Sequence, residues 1–265
     1  MLDYQFFQYA LIAILTVAVA SAMIGTYIVS RRLVALSGGV THACFGGLGL
    51  GYWLGVSPVA MAGVFAVGAA LAVEWMGRRG RIREDSAIAV VWALGMAAGV
   101  LFVFMTPGYV PELNSFLFGN ILSVTQGDII QYLVFLAVLA AFFALQFRRI
   151  VACAFDSDFA RVSGLPATAV NCVMTIFTAL CIVLTIRMVG IMLLMSMLAM
   201  PQLIAELFTR RFASMMFGAM AVSAFCSVVG LTLSALIDVP ASALIVIAMV
   251  AVYLPALAFR KLLFR

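Results

Sequence analysis

The chain has 265 residues, of which 66% are hydrophobic and only 9% are charged, and its mean hydropathy is +1.24. Soluble domains are about half apolar and about a quarter charged, so this composition excludes a soluble protein and indicates a polytopic membrane protein. The net charge of +5 comes from basic residues that flank apolar runs, so it gives no indication of nucleic-acid binding.

Successive apolar runs, each close to the ~20 residues that a membrane span needs, predict about nine transmembrane helices, with eight as the alternative. The predicted fold is therefore all-α, a polytopic helical bundle formed by residues 1–265 as a single transmembrane domain. The predicted spans are Phe6–Ser30, Leu36–Gly55, Val59–Met76, Ala87–Met105, Ile129–Phe147, Ala169–Ile186, Val189–Leu207, Met215–Leu236 and Ala243–Phe259.

The basic residues predict how these spans are oriented. If the N-terminus lies outside and each of nine spans crosses once, every Lys and Arg except Arg187 falls on the cytoplasmic side. Cytoplasmic loops of membrane proteins are enriched in Lys and Arg. We therefore expect the N-terminus outside and the C-terminus in the cytoplasm.

The second run contains His42, the one histidine of the chain, within a glycine-rich sequence. On a helix, Gly38 and Gly46 share the face of His42, and we expect them to leave space on either side of the imidazole. A second face carries Gly47, Gly51 and Gly55, a small-xxx-small pattern that favours close approach of another helix.

An imidazole within the bilayer is costly unless it meets a partner, water or an ion. Two interpretations of His42 follow from this cost. The ring forms a hydrogen bond with a neighbouring helix, or it lines a route for a cation. The acidic residues Glu74 and Glu206 lie near the cytoplasmic ends of predicted spans, where snorkelling to the interface is their ordinary explanation.

The chain lacks the G-x-x-x-x-G-K-[ST] sequence that would cradle ATP phosphates, so any ATP hydrolysis requires another chain. We therefore expect a transport subunit and not an enzyme. Between the fifth and sixth spans, residues 150–167 form a charged stretch that predicts a short cytoplasmic helix or loop. Further pathway or structural candidates are Gly38, Glu112 in the loop after the fourth span, Pro201 inside the seventh span, and Asp238 in the turn after the eighth.

Six sequence stretches, in order along nearly the whole chain, resemble the zinc/manganese/iron permease family of ABC importers. The spacing of Asp158, Ala160 and Gly164 is similar to the cytoplasmic coupling motif of ABC importer permeases. The matching stretches are SGGVTHA around His42, EDSAI at Glu84–Ile88, LFGNILSV at Leu117–Val124, FDSDFARVSGL at Phe155–Leu165, VGIMLLMSMLAMP at Val189–Pro201 and DVPASALIV at Asp238–Val246.

The resemblance implies a multi-pass permease in the inner (cytoplasmic) membrane of a prokaryote, surrounded by lipid and assembled as a homodimer. It implies two kinds of protein partner, a cytoplasmic dimer of ABC ATPases and an extracellular or periplasmic metal-binding protein. The implied substrate is a divalent transition metal, zinc or manganese first and iron next, with no permanently bound cofactor. The segment with Asp156, Asp158, Ala160 and Gly164 would dock on the ATPase; a solvated connector is the alternative.

The sequence departs from the family at one position. Many members carry an aspartate one turn before the histidine, where this chain has Gly38. Any metal site at His42 must therefore take its other ligands from other parts of the protein, or it binds the ion only transiently during transport. An ATP-independent metal channel or secondary carrier is the alternative function, and a scaffold subunit that moves no solute is a third.

Overall fold

The protein is described here by a computed structural model covering residues 5–78, 83–107, 119 and 121–263. In that part of the chain the regular structure is entirely helical, apart from one 3-10 turn at Ile121–Ser123. The helices are α1 (Gln5–Ser30), α2 (Val34–Leu54), α3 (Pro58–Arg78), α4 (Glu84–Met105), α5 (Gln126–Phe155), α6 (Ser157–Val162), α7 (Ala167–Val189), α8 (Ile191–Glu206), α9 (Phe212–Ile237) and α10 (Ala241–Leu263).

These helices confirm the predicted all-α polytopic membrane fold. Eight of them are long and apolar enough to cross a membrane, and α8 is a shorter apolar helix of 16 residues. At 1.5 Å per residue α8 is about 24 Å long, less than the ~30 Å hydrocarbon core of a bilayer. It packs against α1, α9 and α10 and buries most of its apolar side chains.

Helices α1, α2 and α7 form the interior of the bundle, whereas α4 and α10 lie at its surface with few buried residues. Large apolar side chains cover the outer surface, among them Phe104 and Leu145, both more than four-fifths exposed. Such a surface is stable in lipid and costly in water. The chain is accordingly a multi-pass membrane protein.

Pro201 lies inside α8, as the sequence predicts, and its missing N–H would leave the Met197 carbonyl four residues earlier without its helical partner. The neighbouring residue Gln202 compensates. Its Nε2 donates to the Met197 carbonyl at 3.3 Å and to the Ser21 carbonyl of α1 at 2.9 Å. The same side chain therefore satisfies the interrupted helix and ties α8 to α1.

One end of the bundle carries a cluster of polar residues, where the turn after α1 meets α3, α4 and α7. Arg31, in the turn between α1 and α2, is paired there with acidic residues of α3 and α4. We refer to this as the Arg31 end. Helix α5 reaches it and continues beyond Arg148 and Arg149 to Phe155, eight residues further than the predicted span.

At the opposite end, Asp128 lies in the first turn of α5 and Arg187 lies in the last turn of α7. Arg187 Nη2 and Asp128 Oδ1 are 3.0 Å apart, and Asp128 also completes a capping box with Thr125. This ion pair neutralises Arg187, the basic residue that the charge pattern had set apart from all others.

Candidate functional site

The glycine-rich helix α2 is held between α3 and α4, and its glycines make both contacts close. On one face, a Cβ at Gly47 would come within 2.7 Å of Ala62 Cα, and one at Gly51 within 2.6 Å of Pro58 Cα. Real Cβ atoms do not approach backbone that closely. Gly47 and Gly51 therefore allow the backbones of α2 and α3 to meet.

Gly55 differs from its predicted role in this ladder. It follows the last residue of α2 in the left-handed conformation, with φ +67°, and a Cβ there would meet nothing within 4 Å. Its N–H donates to carbonyls of the final helical turn, as expected of a C-cap glycine. Sequence spacing alone could not separate a packing glycine from one that ends the helix.

The face toward α4 carries a second glycine contact that the sequence analysis did not pair. A Cβ at Gly46 would lie 2.9 Å from the Gly95 carbonyl oxygen, and one at Gly49 would lie 2.6 Å from that of Gly99. Gly95 and Gly99 are one turn apart on α4, so their lack of side chains lets the two helices pack backbone to backbone.

His42 lies on this α4-facing side and stacks on Trp92. The two ring centroids are 4.5 Å apart and the ring planes differ by 6°. The imidazole is half-buried, and no hydrogen bond joins it to another residue in the described ranges. The ring is therefore positioned by stacking, which leaves its nitrogen lone pair free to bind a cation.

The space expected beside His42 is filled, so that prediction is wrong. A Cβ at Gly38 would lie 3.1 Å from the Met195 Cε of α8 and 3.8 Å from Trp92 Cζ3. At Gly46, Phe65 ring atoms and the Gly95 carbonyl occupy the corresponding position. The glycines thus bring neighbouring groups close to α2 and do not leave gaps along it.

Among the described residues, no preformed set of ionisable ligands surrounds His42. In the described part of the chain, no three His, Cys, Asp or Glu side chains come together as a metal-binding group. Sequence reasoning missed two contacts here: Trp92 of α4 stacks on His42, and Met195 of α8 lies beside Gly38. An aromatic or methionine residue within an apolar span carries no signal of such a role.

The other predicted candidates lie apart from this cluster or outside the described ranges. Asp238 is exposed and ends α9 in the left-handed conformation, with φ 58°. Pro201 is buried in α8, where Gln202 compensates for it. Glu112 falls outside the described residues.

The predicted charged segment forms the six-residue helix α6 at the Arg31 end. Asp156 caps it, because its Oδ1 accepts from the N–H groups of Asp158 and Phe159. Ala160 is fully buried against the bundle, whereas Asp158 is exposed beside Arg161. Gly164 ends the turn after α6 with φ +80° and open space around it. Glycine is favoured at this position because other residues adopt a positive φ only at a cost in free energy.

Helix α6 also presents an apolar surface. Phe159 is 68% exposed and Val162 is 89% exposed, and Phe155, immediately before the cap, is exposed as well. The cap and the buried Ala160 fix one side of this short helix, so its apolar residues face away from the bundle.

Arg31 is almost buried between two carboxylates. Its Nη1 lies 3.4 Å from Glu74 Oε2 of α3, and its Nη2 lies 3.6 Å from Glu84 Oε1 at the start of α4. Burial alone would lower the pKa of the guanidinium, but Tyr27, Glu74 and Glu84 outweigh burial and the pKa is raised. The snorkelling explanation for Glu74 is therefore wrong, because that side chain is only 8% exposed and is ion-paired.

Hydrogen bonds continue from Arg31 across the bundle to α6. Arg31 Nη1 donates to Tyr27 Oη at 3.1 Å, and Tyr27 Oη donates to Asn171 Oδ1 at 3.0 Å. Asn171 Nδ2 in turn donates to Ser157 Oγ, at the first residue of α6, at 2.8 Å. We call these six residues the Arg31 network: Ser157, Asn171, Tyr27, Arg31, Glu74 and Glu84.

Close packing of α2 on α3 makes Gly51 a sensitive position. We expect Gly51→Leu to destabilise the purified protein by about 1–3 kcal/mol or more, because the new side chain meets the Pro58 backbone, which cannot rotate away. Thermal unfolding in detergent measures the loss. Gly68→Leu on α3 is the matched control, since a Cβ there has open space. Equal melting temperatures for the two variants would contradict the packing role of Gly51.

Comparison with known proteins identifies the family to which this chain belongs. The model of the ABC 3 transport family matches residues 3–260, nearly the whole chain. The chain belongs to the ABC 3 transport family. The family resemblance inferred from the six sequence stretches is thereby confirmed.

Several proteins that are similar to this chain are named for metal transport. A probable metal transport system membrane protein of Chlamydia pneumoniae is 33% identical over 94% of this chain and 87% of its own. A probable iron transport system membrane protein of Haemophilus influenzae is 31% identical, covering 100% and 97%. The manganese transport system membrane protein MntC of Listeria monocytogenes is 26% identical, covering 98% and 92%.

A solved structure agrees with the fold of this ABC 3 transport family member. PsaBC from Streptococcus pneumoniae in complex with Fab superposes with a TM-score of 0.83 at 26% identity, covering 96% of this chain and 91% of the matched chain. The helical arrangement described here is therefore that of an ABC transport membrane subunit, a chain that is not itself catalytic.

Proposed function

We propose that this chain is the permease subunit of an ABC importer that moves a divalent transition metal into the cytoplasm. Relatives named for metal, iron and manganese transport support manganese or iron as the substrate. Zinc is retained because imidazole is a good ligand for it. The observation that carries the proposal is His42, a half-buried imidazole with a free lone pair between α2 and α4.

In this mechanism His42 is a transient ligand along the translocation route. Trp92 orients the His42 ring by stacking, so the ring is positioned without a hydrogen bond that would occupy its nitrogen lone pair. One neutral imidazole binds a divalent ion weakly, and a transport site must release its ion as well as accept it. Metal binding requires the imidazole to be deprotonated, so protons compete with the metal at this position.

The energy for transport comes from a separate ABC ATPase, which we propose docks on α6. The support is the shape of α6: one side is fixed to the bundle, and Phe159 and Val162 present an apolar surface. The segment around Asp156, Asp158, Ala160 and Gly164 would then transmit closure of the ATPase dimer. Docking at α6 puts the Arg31 end in the cytoplasm, in agreement with the placement of Lys and Arg.

The remaining partners follow from the family resemblance. We propose a homodimer of this chain in the inner membrane of a bacterium, with residues 1–265 as one permease domain in each copy. An extracellular or periplasmic metal-binding protein would deliver the ion at the end that carries Asp128 and Arg187. The permease itself would hold no permanent cofactor.

The test is uptake by reconstituted vesicles. The chain is co-reconstituted with the ABC ATPase and the metal-binding protein of a metal transport system, and accumulation of radiolabelled Mn²⁺, Fe²⁺ or Zn²⁺ is followed with and without ATP. ATP-dependent accumulation supports the proposal. Accumulation that is equal without the ATPase would instead indicate a channel or secondary carrier, and no accumulation of any of the three metals would overturn metal transport.

Docking at α6 predicts a separate, measurable effect. We expect Phe159→Glu to abolish co-purification of the ATPase, because it places a charge within the apolar surface that the partner must desolvate. Phe159→Leu keeps that surface apolar and is the matched control, which should bind as the parent does. Retention of the ATPase by the glutamate variant would show that docking occurs elsewhere.

A further inference from the structure

We propose that the Arg31 network is the mechanical link between α6 and the helices that hold His42. It joins the first residue of α6 to α7, α1, α3 and α4 through direct side-chain contacts. This inference rests on the proposed function, because it takes α6 to be the element on which the ATPase acts.

The network is buried along most of its length. Tyr27 and Asn171 are each 3% exposed, and the Arg31 and Glu74 side chains are 10% and 8% exposed. A buried polar group that loses its partner incurs a desolvation cost that water cannot offset. The connected helices are therefore constrained to move together, or to exchange one satisfied arrangement for another.

At one end of the network, Ser157 determines how α6 sits on the bundle. A helix of six residues is far too short to be stable alone, so α6 depends on its contacts with neighbouring elements. The Ser157 Oγ accepts from Asn171 Nδ2, and Ala160 is buried beside it. A displacement of α6 therefore moves the acceptor of the Asn171 hydrogen bond and acts directly on α7.

At the other end, Arg31 reaches the starting points of both helices that form the His42–Trp92 stack. Arg31 lies three residues before the first residue of α2, which carries His42, and it pairs with Glu84, the first residue of α4, which carries Trp92. Gly77 of α3 lies against Glu84, where a Cβ would come within 3.0 Å of Glu84 Cγ. A shift of Arg31 therefore acts on α2, α3 and α4 together.

Tyr27 is the single hydroxyl that joins the two halves of the network. Its hydroxyl accepts from Arg31 and donates to Asn171. Tyr27→Phe therefore removes the connection between Arg31, with its two carboxylates, and the Asn171–Ser157 hydrogen bond, but keeps the aromatic ring. Tyr132→Phe is the matched control. Tyr132 is also fully buried, and its hydroxyl is 2.8 Å from Thr185 Oγ1 in a cluster outside the network.

The experiment measures radiolabelled Mn²⁺ taken up per ATP hydrolysed in vesicles that contain the permease and its ATPase and are supplied with the metal-binding protein. We expect Tyr27→Phe to lower this ratio about three- to tenfold, the factor that corresponds to one hydrogen bond. ATPase binding and basal hydrolysis should equal those of the parent. Tyr132→Phe should keep the parent ratio. Ser157→Ala removes the last acceptor and should lower the ratio of uptake to hydrolysis as Tyr27→Phe does, even if the latter folds poorly.

An unchanged ratio in folded Tyr27→Phe, or an equal loss in Tyr132→Phe, would overturn the proposal. Hydrogen–deuterium exchange tests the linkage without any transport: Tyr27→Phe should speed amide exchange across Ser157–Val162, and Tyr132→Phe should not. If the parent moves no metal, the proposed function fails, and this exchange comparison still decides whether the network holds α6. Equal exchange in both variants would show that it does not.

Discussion

We expect His42→Ala to lower ATP-driven metal uptake at least about tenfold and to leave basal ATP hydrolysis by the partner unchanged. Loss of groups that merely orient metal ligands commonly lowers metal affinity or activity about 10- to 100-fold, so loss of the ligand itself should have at least that effect. Hydrolysis is spared because α6 and the Arg31 network do not include His42. Uptake of radiolabelled Mn²⁺, Fe²⁺ and Zn²⁺ into vesicles, measured beside phosphate release, tests both parts.

The stacked geometry supplies the control. His42→Phe retains an aromatic ring that can lie on Trp92, but it has no nitrogen lone pair. If His42 binds the ion, the phenylalanine variant should fold as the parent does and lose uptake as the alanine variant does. Normal uptake by His42→Phe would show that the ring contributes packing alone.

The sequence predicted the helices well because the bilayer imposes one strong condition on them. A spanning segment must satisfy its backbone hydrogen bonds internally and present apolar side chains to lipid. The apolar runs of this chain therefore coincide with the observed helices, as Phe6–Ser30 does with α1 and Ala87–Met105 with α4. The same condition does not fix where a helix ends once it has left the membrane.

The largest difference in helix length arises in this way, and a smaller difference at α8 has another cause. α5 continues to Phe155 because nothing in the sequence before Asp156 disfavours a helix, although Arg148 and Arg149 mark the expected membrane boundary. α8 begins only at Ile191, because Gly190 adopts φ +81° and ψ 169°. Neither arginine pairs nor a lone glycine reveal such backbone geometry in advance.

The sequence predicted that the candidate site lies on a glycine-rich helix, but it did not predict all the residues of neighbouring helices that contact it. The small-residue spacing of α2 indicated close packing, and Gly47 and Gly51 do lie against α3. The spacing could not show that Gly46 and Gly49 meet Gly95 and Gly99 on α4. Pairing between helices depends on their rotation and crossing, which no single helix encodes.

The Arg31 network was missed for a related reason. Glu74 is 43 residues from Arg31, and Asn171 is 144 residues from Tyr27. Each residue alone resembles a common interfacial group near a helix end. Only the folded bundle, in which α7 packs against both α1 and α3, brings these residues together and shows that Glu74 is ion-paired.

The family resemblance leads us to expect an aspartate where this chain has Gly38, and we expect that a carboxylate placed there would change which metal is preferred. We expect Gly38→Asp to raise the uptake of Mn²⁺ relative to Zn²⁺ by roughly tenfold, because carboxylate oxygen suits Mn²⁺ whereas imidazole and thioether groups suit softer metals. The new carboxylate lies one helical turn from His42, on the same face. Competition between the two radiolabelled ions in the same vesicles measures the ratio.

The surroundings of Gly38 allow this substitution and define its controls. The closest neighbour is Met195 Cε, the flexible end of a side chain, at 3.1 Å from the new Cβ, so Met195 can move aside without a backbone shift. Gly38→Asn has nearly the same shape without the charge, and Gly38→Ala tests displacement of Met195 alone. If either control changes the Mn²⁺ to Zn²⁺ ratio as much as aspartate does, selectivity follows from packing beside His42 and not from a carboxylate ligand.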